Sequence, residues 1–187
     1  MSDVDPVMLV DYGPLRALIG VWEGGEGTDI SPEPDAIEEN PYYETIVFEA
    51  AGDVTNAETQ KLAIVRYHQI VKRKRNDEVF HDQIGYWTWD PSDNTVSFSL
   101  AIPRAVTVLA GGSYQPDSKE LKVYASAEGA DWGISQSPFM LEKAKTTAFE
   151  MVLKVDGDTM HYRQTTSLSI YGREFPHTDE NTLKRAA

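Results

Sequence analysis

The chain has 187 residues, with 17 basic against 30 acidic side chains, a net charge of −13 and a pI near 4.6. That balance excludes a nucleic-acid partner, which needs a basic face, and the absence of cysteine excludes disulfides and thiolate chemistry. With 41% hydrophobic residues, no apolar run near the ~18 residues of a membrane span and no charged-then-apolar leader in MSDVDPVM, it reads as one cytoplasmic domain over residues 1–187 with no membrane partner.

In chain order, residues 1–13 read as a loosely ordered lead-in, and Pro14 to Ile19 as a helical turn covering one end of the domain. A first strand is expected over 21–29, in the run GVWEGGEG, where the glycines permit a sharp bend around Trp22. The proline- and glutamate-rich stretch 31–41 reads as an exposed loop. Strands two to seven follow over 42–51, 60–74, 78–89, 95–102, 104–110 and 119–127. Residues 128–145 are the least strand-like interior segment and read as an insertion or long loop at a mouth. Two further strands, 146–155 and 159–171, flank Asp156-Gly157, the strongest hairpin signal in the chain, and REFPHTDENTLKR follows as a tail. The pattern predicts an all-β fold, a single antiparallel calycin-like barrel of about ten strands with short helical turns at its ends. A β-sandwich is the alternative. A Trp on the opening strand is what plugs one end of such a barrel, and a barrel of this kind is a container.

Hairpin parity predicts which side chains face inward. A two-residue turn at Asp156-Gly157 puts Phe149, Met151, Leu153 and Val155 on one face with Met160, Tyr162, Gln164, Thr166 and Leu168. That face is apolar with a few polar handles, as a pocket wall should be. His161 falls on the outer face. For strands three and four, a turn at Asn76-Asp77 groups Leu62, Ile64, His68 and Ile70 with His81, Gln83, Gly85, Trp87 and Trp89. It groups Ala63, Val65, Tyr67 and Val71 with Phe80, Ile84 and Tyr86, and both faces are apolar enough to be interior. A bulge near 72–75 would bring both Phe80 and His81 to a cavity.

The four histidines, His68, His81, His161 and His177, show no zinc-hydrolase spacing, and no serine sits in a nucleophile motif. No pair of acidic residues is expected on an apolar floor. The basic run 72–75 reads as a solvated strand end.

The order and spacing of GVWEGGEG, EVFHDQIGYWTW, SLAIPRAVTVLAGG, DGDTMHYRQTTSLSIYG and FPHTDENTLKR resemble the nitrobindin family over about Leu18 to Arg185. These are haem-binding barrels akin to fatty-acid-binding proteins, found also as the C-terminal domain of THAP-type proteins. The resemblance implies haem b, a proximal iron ligand at His177, and a pocket of Phe80, His81, Ile102, Thr166 and Leu168. It further implies nitric oxide binding or conversion of peroxynitrite to nitrate. The chain departs from the family where Glu26 replaces a glycine and where His177 lies six rather than five residues before Leu183. Two readings of His177 therefore stand side by side: an iron ligand, or a chain-terminal residue next to a capped final helix. If His81 faces the cavity, His68 is expected beside it, both buried, with neither holding a structural metal. The alternative function is a carrier of an apolar or fatty-acid-like ligand, using Tyr162, Gln164 and His68 as polar contacts. An inward Arg104 or Arg66 would receive the ligand's carboxylate. As an enzyme the protein would be a peroxynitrite isomerase, otherwise a binding protein, monomeric or homodimeric.

Overall fold

A computed structural model of the chain describes residues 6–129 and 131–186; the remainder, including the first five residues of the lead-in, lies outside the described residues. The glycine-rich opening sets the architecture. Strand β1 (Gly20–Pro32) shifts register between Gly24 and Gly27 against β2 (Ile37–Asn56), so that one strand serves two walls. Gly27 is held to glycine by space, because a Cβ there would lie 2.1 Å from the ring of Tyr42. The meander continues through β3 (Gln60–Arg73), β4 (Val79–Asp90), β5 (Thr95–Ile102), β6 (Val106–Ser113) and β7 (Glu120–Ser126). Then come β8 (Gly133–Gln136), helix α1 (Pro138–Lys143), β9 (Ala144–Asp156), β10 (Thr159–Ile170) and β11 (Arg173–Arg185).

All pairings are antiparallel. Strand β11 returns to β1 and β5 pairs with β6, closing a barrel of ten strands, while β8 lies outside it on β6. Closure leaves few free edges. Among the described residues no helix is long and apolar enough to cross a membrane.

Several boundaries differ from the sequence expectation. The stretch 31–41 is mostly strand: only residues 33–36 connect β1 to β2. The tail is the thirteen-residue β11, entered by a tight turn in which Tyr171 and Gly172 both have positive φ, at 53° and 73°. There is no final helix among the described residues. The segment 128–145 holds β8 and α1, whose first turn is capped by Ser137 accepting from the Met140 amide.

Two hairpins separate harmless register errors from costly ones. Between β9 and β10 the turn is Gly157-Asp158, with Asp156 opposite Thr159. That is a shift of two in pairing, so every face assignment survives, and Met160, Tyr162 and Gln164 point inward. Between β3 and β4 the pairing shifts by one. Tyr67 lies opposite Gly85, Gln69 opposite Gln83 and Val71 opposite His81. A one-residue shift exchanges faces. The interior side therefore carries Ala63, Val65, Tyr67, Gln69 and Val71 together with His81, Gln83 and Trp87. His68, Ile84 and Tyr86 are on the outer wall. The expected burial of His68 is thus wrong. A bulge does occur, on β4 rather than at 72–75, where Lys72 pairs with Val79 and Val71 with His81. The extra residue brings Phe80 and His81 to the interior together.

One end is sealed. Two 3₁₀ turns, Pro6–Leu9 and Gly13–Leu18, lie across it and bury Leu15, Leu18 and Tyr12. The Tyr12 hydroxyl donates to the Val7 carbonyl at 2.8 Å and accepts from the Gly52 amide at 3.0 Å. Trp22 is fully buried, its indole N–H donating to the Leu18 carbonyl at 2.7 Å. The Arg185 guanidinium lies 4.2 Å from the Trp22 ring and donates to the Ile19 and Ala17 carbonyls at 2.6 and 3.0 Å. Above this plug is an aromatic layer in which Phe98 packs against Tyr67, Trp87 and Phe149. Trp87 and Trp89 belong to this half and leave the cavity clear.

Candidate functional site

The same strands that are apolar near the plug turn polar further along. On β2 the inward series is Phe48, Ile46, Glu44, Tyr42, Asn40; on β11 it is Leu183, Asn181, Asp179, His177, Phe175. On β10 it runs Met160, Tyr162, Gln164, Thr166, Leu168. The result is a cavity of about 360 Å³ open at the end opposite the plug, with a polar belt deep inside and an apolar rim. Phe80, Ile102, Val106, Met140, Leu168 and Ile170 form that rim. The volume lies at the small end of the roughly 300–1,000 Å³ typical of ligand pockets.

The floor is built around a buried carboxyl. Glu44 is 2% exposed and accepts from Asn181 at 2.7 Å, from Gln69 at 2.6 Å and from the Tyr162 hydroxyl at 3.1 Å. The Tyr42 hydroxyl lies 2.9 Å from that of Tyr162. Burial pushes the Glu44 carboxyl up to about 7, against the three hydrogen bonds that favour its anion. From Gln69 the contacts continue through Gln83, which donates to the Tyr67 hydroxyl at 2.8 Å. They end at His81, whose Nε2 donates to Gln83 Oε1 at 3.2 Å. Burial holds the His81 imidazole below its ordinary value, so it is neutral near pH 7.

Higher in the cavity His177 meets two carboxylates. Its Nε2 donates to Asp29 Oδ1 at 2.6 Å and lies 3.7 Å from Asp179 Oδ1. The Asp29 second oxygen accepts from Asn40 at 3.2 Å. Sheet register fixes this group: Asp29 lies directly opposite Asn40 on one side and Asp179 on the other. Burial acts to lower the His177 pKa, but the Asp29 hydrogen bond and the charges of Asp179 and Asp29 outweigh it, and the value is raised. Burial would raise Asp29, yet the His177 hydrogen bond and charge bring it below the usual range. Asp179 is pushed up to about 7, first by burial and then by the charge of Asp29.

Of the residues expected from sequence, His177, Phe80, His81, Ile102, Thr166, Leu168, Arg104, Tyr162 and Gln164 all line this cavity. His68 does not: it lies outside, half exposed, with its Nε2 hydrogen-bonded to Asp82 at 3.0 Å. Arg66 also faces out, pairing with Glu49 at 2.9 Å. The expectation of no acidic pair on the cavity floor fails, since Asp29 and Asp179 face each other across β1 and β11 and both turn inward, as does Glu44. Sequence held a signal for Glu44, which shares parity with Tyr42, Ile46 and Phe48. For Asp29 the β1 bulge hid the parity.

A closed antiparallel barrel, plugged at one end and presenting a carboxylate-held histidine in its open cavity, is the architecture of a small-molecule container. The chain belongs to the family of THAP4-like, heme-binding beta-barrel domains, whose family description matches residues 11–185. This agrees with the nitrobindin resemblance and supports haem as the ligand in general terms. The fold is also that of Rv2717c from M. tuberculosis, seen in its crystal structure. The two chains are 22% identical, with a TM-score of 0.71 over 99% of this chain and 100% of that one. Curated protein sequences contain no match.

Proposed function

We propose that the protein binds haem b in the open cavity, with His177 as the iron ligand, and acts on nitric oxide or peroxynitrite. The observation that carries this is the His177–Asp29 contact. One ring nitrogen is held by a buried carboxylate, the usual support for a metal-ligating imidazole, and Nδ1 has no hydrogen-bond partner among the described residues.

The rest of the cavity suits the group. Phe80, Ile102, Met140, Leu168 and Ile170 give the cavity an apolar wall, as a macrocycle requires, while Glu33, Glu38, Arg73 and Arg104 also line it. Arg73 lines the rim with its Nε buried and without a hydrogen-bond partner, although its Nη1 reaches Glu78 at 3.1 Å. Arg104 lines it with neither ion pair nor hydrogen bond among the described residues. The unpaired guanidinium of Arg104 and the free Nε of Arg73 fit the carboxylates of haem. A fatty-acid head seated deep in the cavity would instead meet Asp29, Asp179 and Glu44, which disfavours the carrier reading.

When bound, haem supplies a redox-active Lewis acid able to bind nitric oxide and to rearrange peroxynitrite to nitrate. His177 anchors and orients it. Phe80, Ile102, Thr166 and Leu168 limit water and set access. His81, neutral and tied through Nε2 to Gln83, offers its other nitrogen to a small reactant. The test is titration of ferric haem into purified protein. A sharp Soret band that shifts and weakens in His177→Ala is expected; an unchanged band in that variant removes His177 as the ligand, and no band in the wild type ends the haem reading.

A further inference from the structure

We infer that Asp29 is a positioning residue that fixes the orientation of His177 and gives its imidazole anionic character, so that bound iron is held in the ferric state. The inference rests on the haem reading above and adds to it a named residue and a direction for the redox potential.

Three observations carry it. The contact is short, at 2.6 Å, and charge-assisted. The carboxylate is 4% exposed, which limits the competition of water for the Nε2 proton. Asp29 is itself fixed, with its second oxygen accepting from Asn40, which is 5% exposed and lies opposite it in the β1–β2 ladder. Asn40, Asp29 and His177 thus form a chain across β2, β1 and β11, with every member on a strand and none on a loop. An imidazole whose proton is pulled toward a buried carboxylate is a stronger donor at its other nitrogen. Stronger donation stabilises the higher charge on iron, which is the lever that ligand environment exerts on haem potentials. Asp179 lies 3.7 Å from Nε2 and does not make the hydrogen bond, and burial beside Asp29 disfavours its charge, so the anionic partner of His177 is Asp29.

The two neighbours of the His177 proton predict opposite effects. Asp29→Asn removes the charge and keeps the shape. The midpoint potential of the reconstituted full chain should rise, the iron–histidine stretching band of the ferrous form should move to lower frequency, and haem affinity should fall about 10–100-fold. Asn40→Ala frees the second carboxylate oxygen and concentrates charge on the His177 side. Its potential should fall and its band move up. A purely structural role would move both variants the same way. Spectroelectrochemistry and resonance Raman on wild type, both variants and His177→Ala decide the matter. Opposite shifts in the two variants establish the role of Asp29. If Asp29→Asn leaves potential and band unchanged while His177→Ala abolishes the band, the Asp29 role falls and the haem reading stands. If the band survives His177→Ala, the ligand lies elsewhere and both fall. Should Asp29→Asn not fold, the downward shift in Asn40→Ala still tests the sign, and a rise there overturns it.

Discussion

The two ends of the barrel are made from the same strands and could hardly differ more. At the sealed end Tyr12, Leu15, Leu18 and Trp22 are buried, and the hydroxyl of Tyr12 and the indole N–H of Trp22 have partners, although the buried indole N–H of Trp89 has none among the described residues. At the open end Asp29, His177 and Asp179 crowd together, while Arg73 keeps an unpartnered buried nitrogen. The difference teaches where stability and chemistry are stored. Apolar burial with most polar groups satisfied holds the fold. Buried charges with incomplete partners cost stability and are found where a ligand completes them.

That comparison breaks most easily at Trp22. Trp22→Ala deletes the plug and should cost about 3–5 kcal/mol, the range for large core truncations. Urea unfolding measures it, and the molecules that remain folded should still give the Soret band. A variant that kept its stability but lost haem would contradict the division between the two ends.

Next in size is the penalty carried by the open half. Glu44 titrates near 7 when folded against an ordinary value of 4.5. A carboxyl raised by folding contributes stability that is complete below its unfolded value and is lost as pH rises through the folded one. Stability should therefore fall between pH 4.5 and about 7 by something on the order of 3 kcal/mol, before other groups are counted. Denaturant midpoints across that window test this. Glu44→Gln should reduce the slope and leave the part that belongs to Asp179, also raised to about 7, and a slope that this variant leaves unchanged would show that Glu44 carries no such penalty.

Smaller again is Arg185, which covers Trp22 from the sealed side. Arg185→Ala should cost about 1–2 kcal/mol through the lost ring contact and three hydrogen bonds, to Asp158, Ile19 and Ala17. Arg185→Lys should recover only part, since an ammonium cannot reproduce a planar fork stacked on an indole.

How much of this was legible in sequence follows the same division. The sealed end was readable because its signals are local: glycines around Trp22, a helical turn before it, alternation along each strand. The β9–β10 face was readable because an error of two residues preserves parity, which is why Tyr162, Gln164, Thr166 and Leu168 were placed inside. The β3–β4 face was not, since its five-residue connection and the bulge at Phe80 shift pairing by one and turn His68 outward. The tail was missed because its turn begins with a tyrosine at positive φ, a residue that gives no warning of a tight turn. The acidic belt was missed for a physical reason. Carboxylates at inward positions look like solvent-facing residues until the partners that hold them, here Asn181, Gln69, Asn40 and His177, are brought together by strands far apart in the chain.

The smallest stability effect expected belongs to Arg104, at the rim of the open end. It is exposed and makes no ion pair or hydrogen bond among the described residues, and its charge opposes protonation of both His81 and His177. The folded protein gains nothing visible from it. Arg104→Ala should therefore change unfolding free energy by no more than about 0.5 kcal/mol, with any change toward stability. Haem affinity should nonetheless drop roughly tenfold, the value of one charge-assisted contact to a carboxylate. The loss should shrink as salt is raised, because a pair at an exposed rim is screened. An uncharged porphyrin ester, lacking carboxylates, should bind wild type and Arg104→Ala alike. If the variant instead destabilises the protein by more than about 1 kcal/mol, beyond the usual range for surface substitutions, and leaves haem affinity unchanged, Arg104 serves the fold, and the contrast between the two ends loses its clearest case.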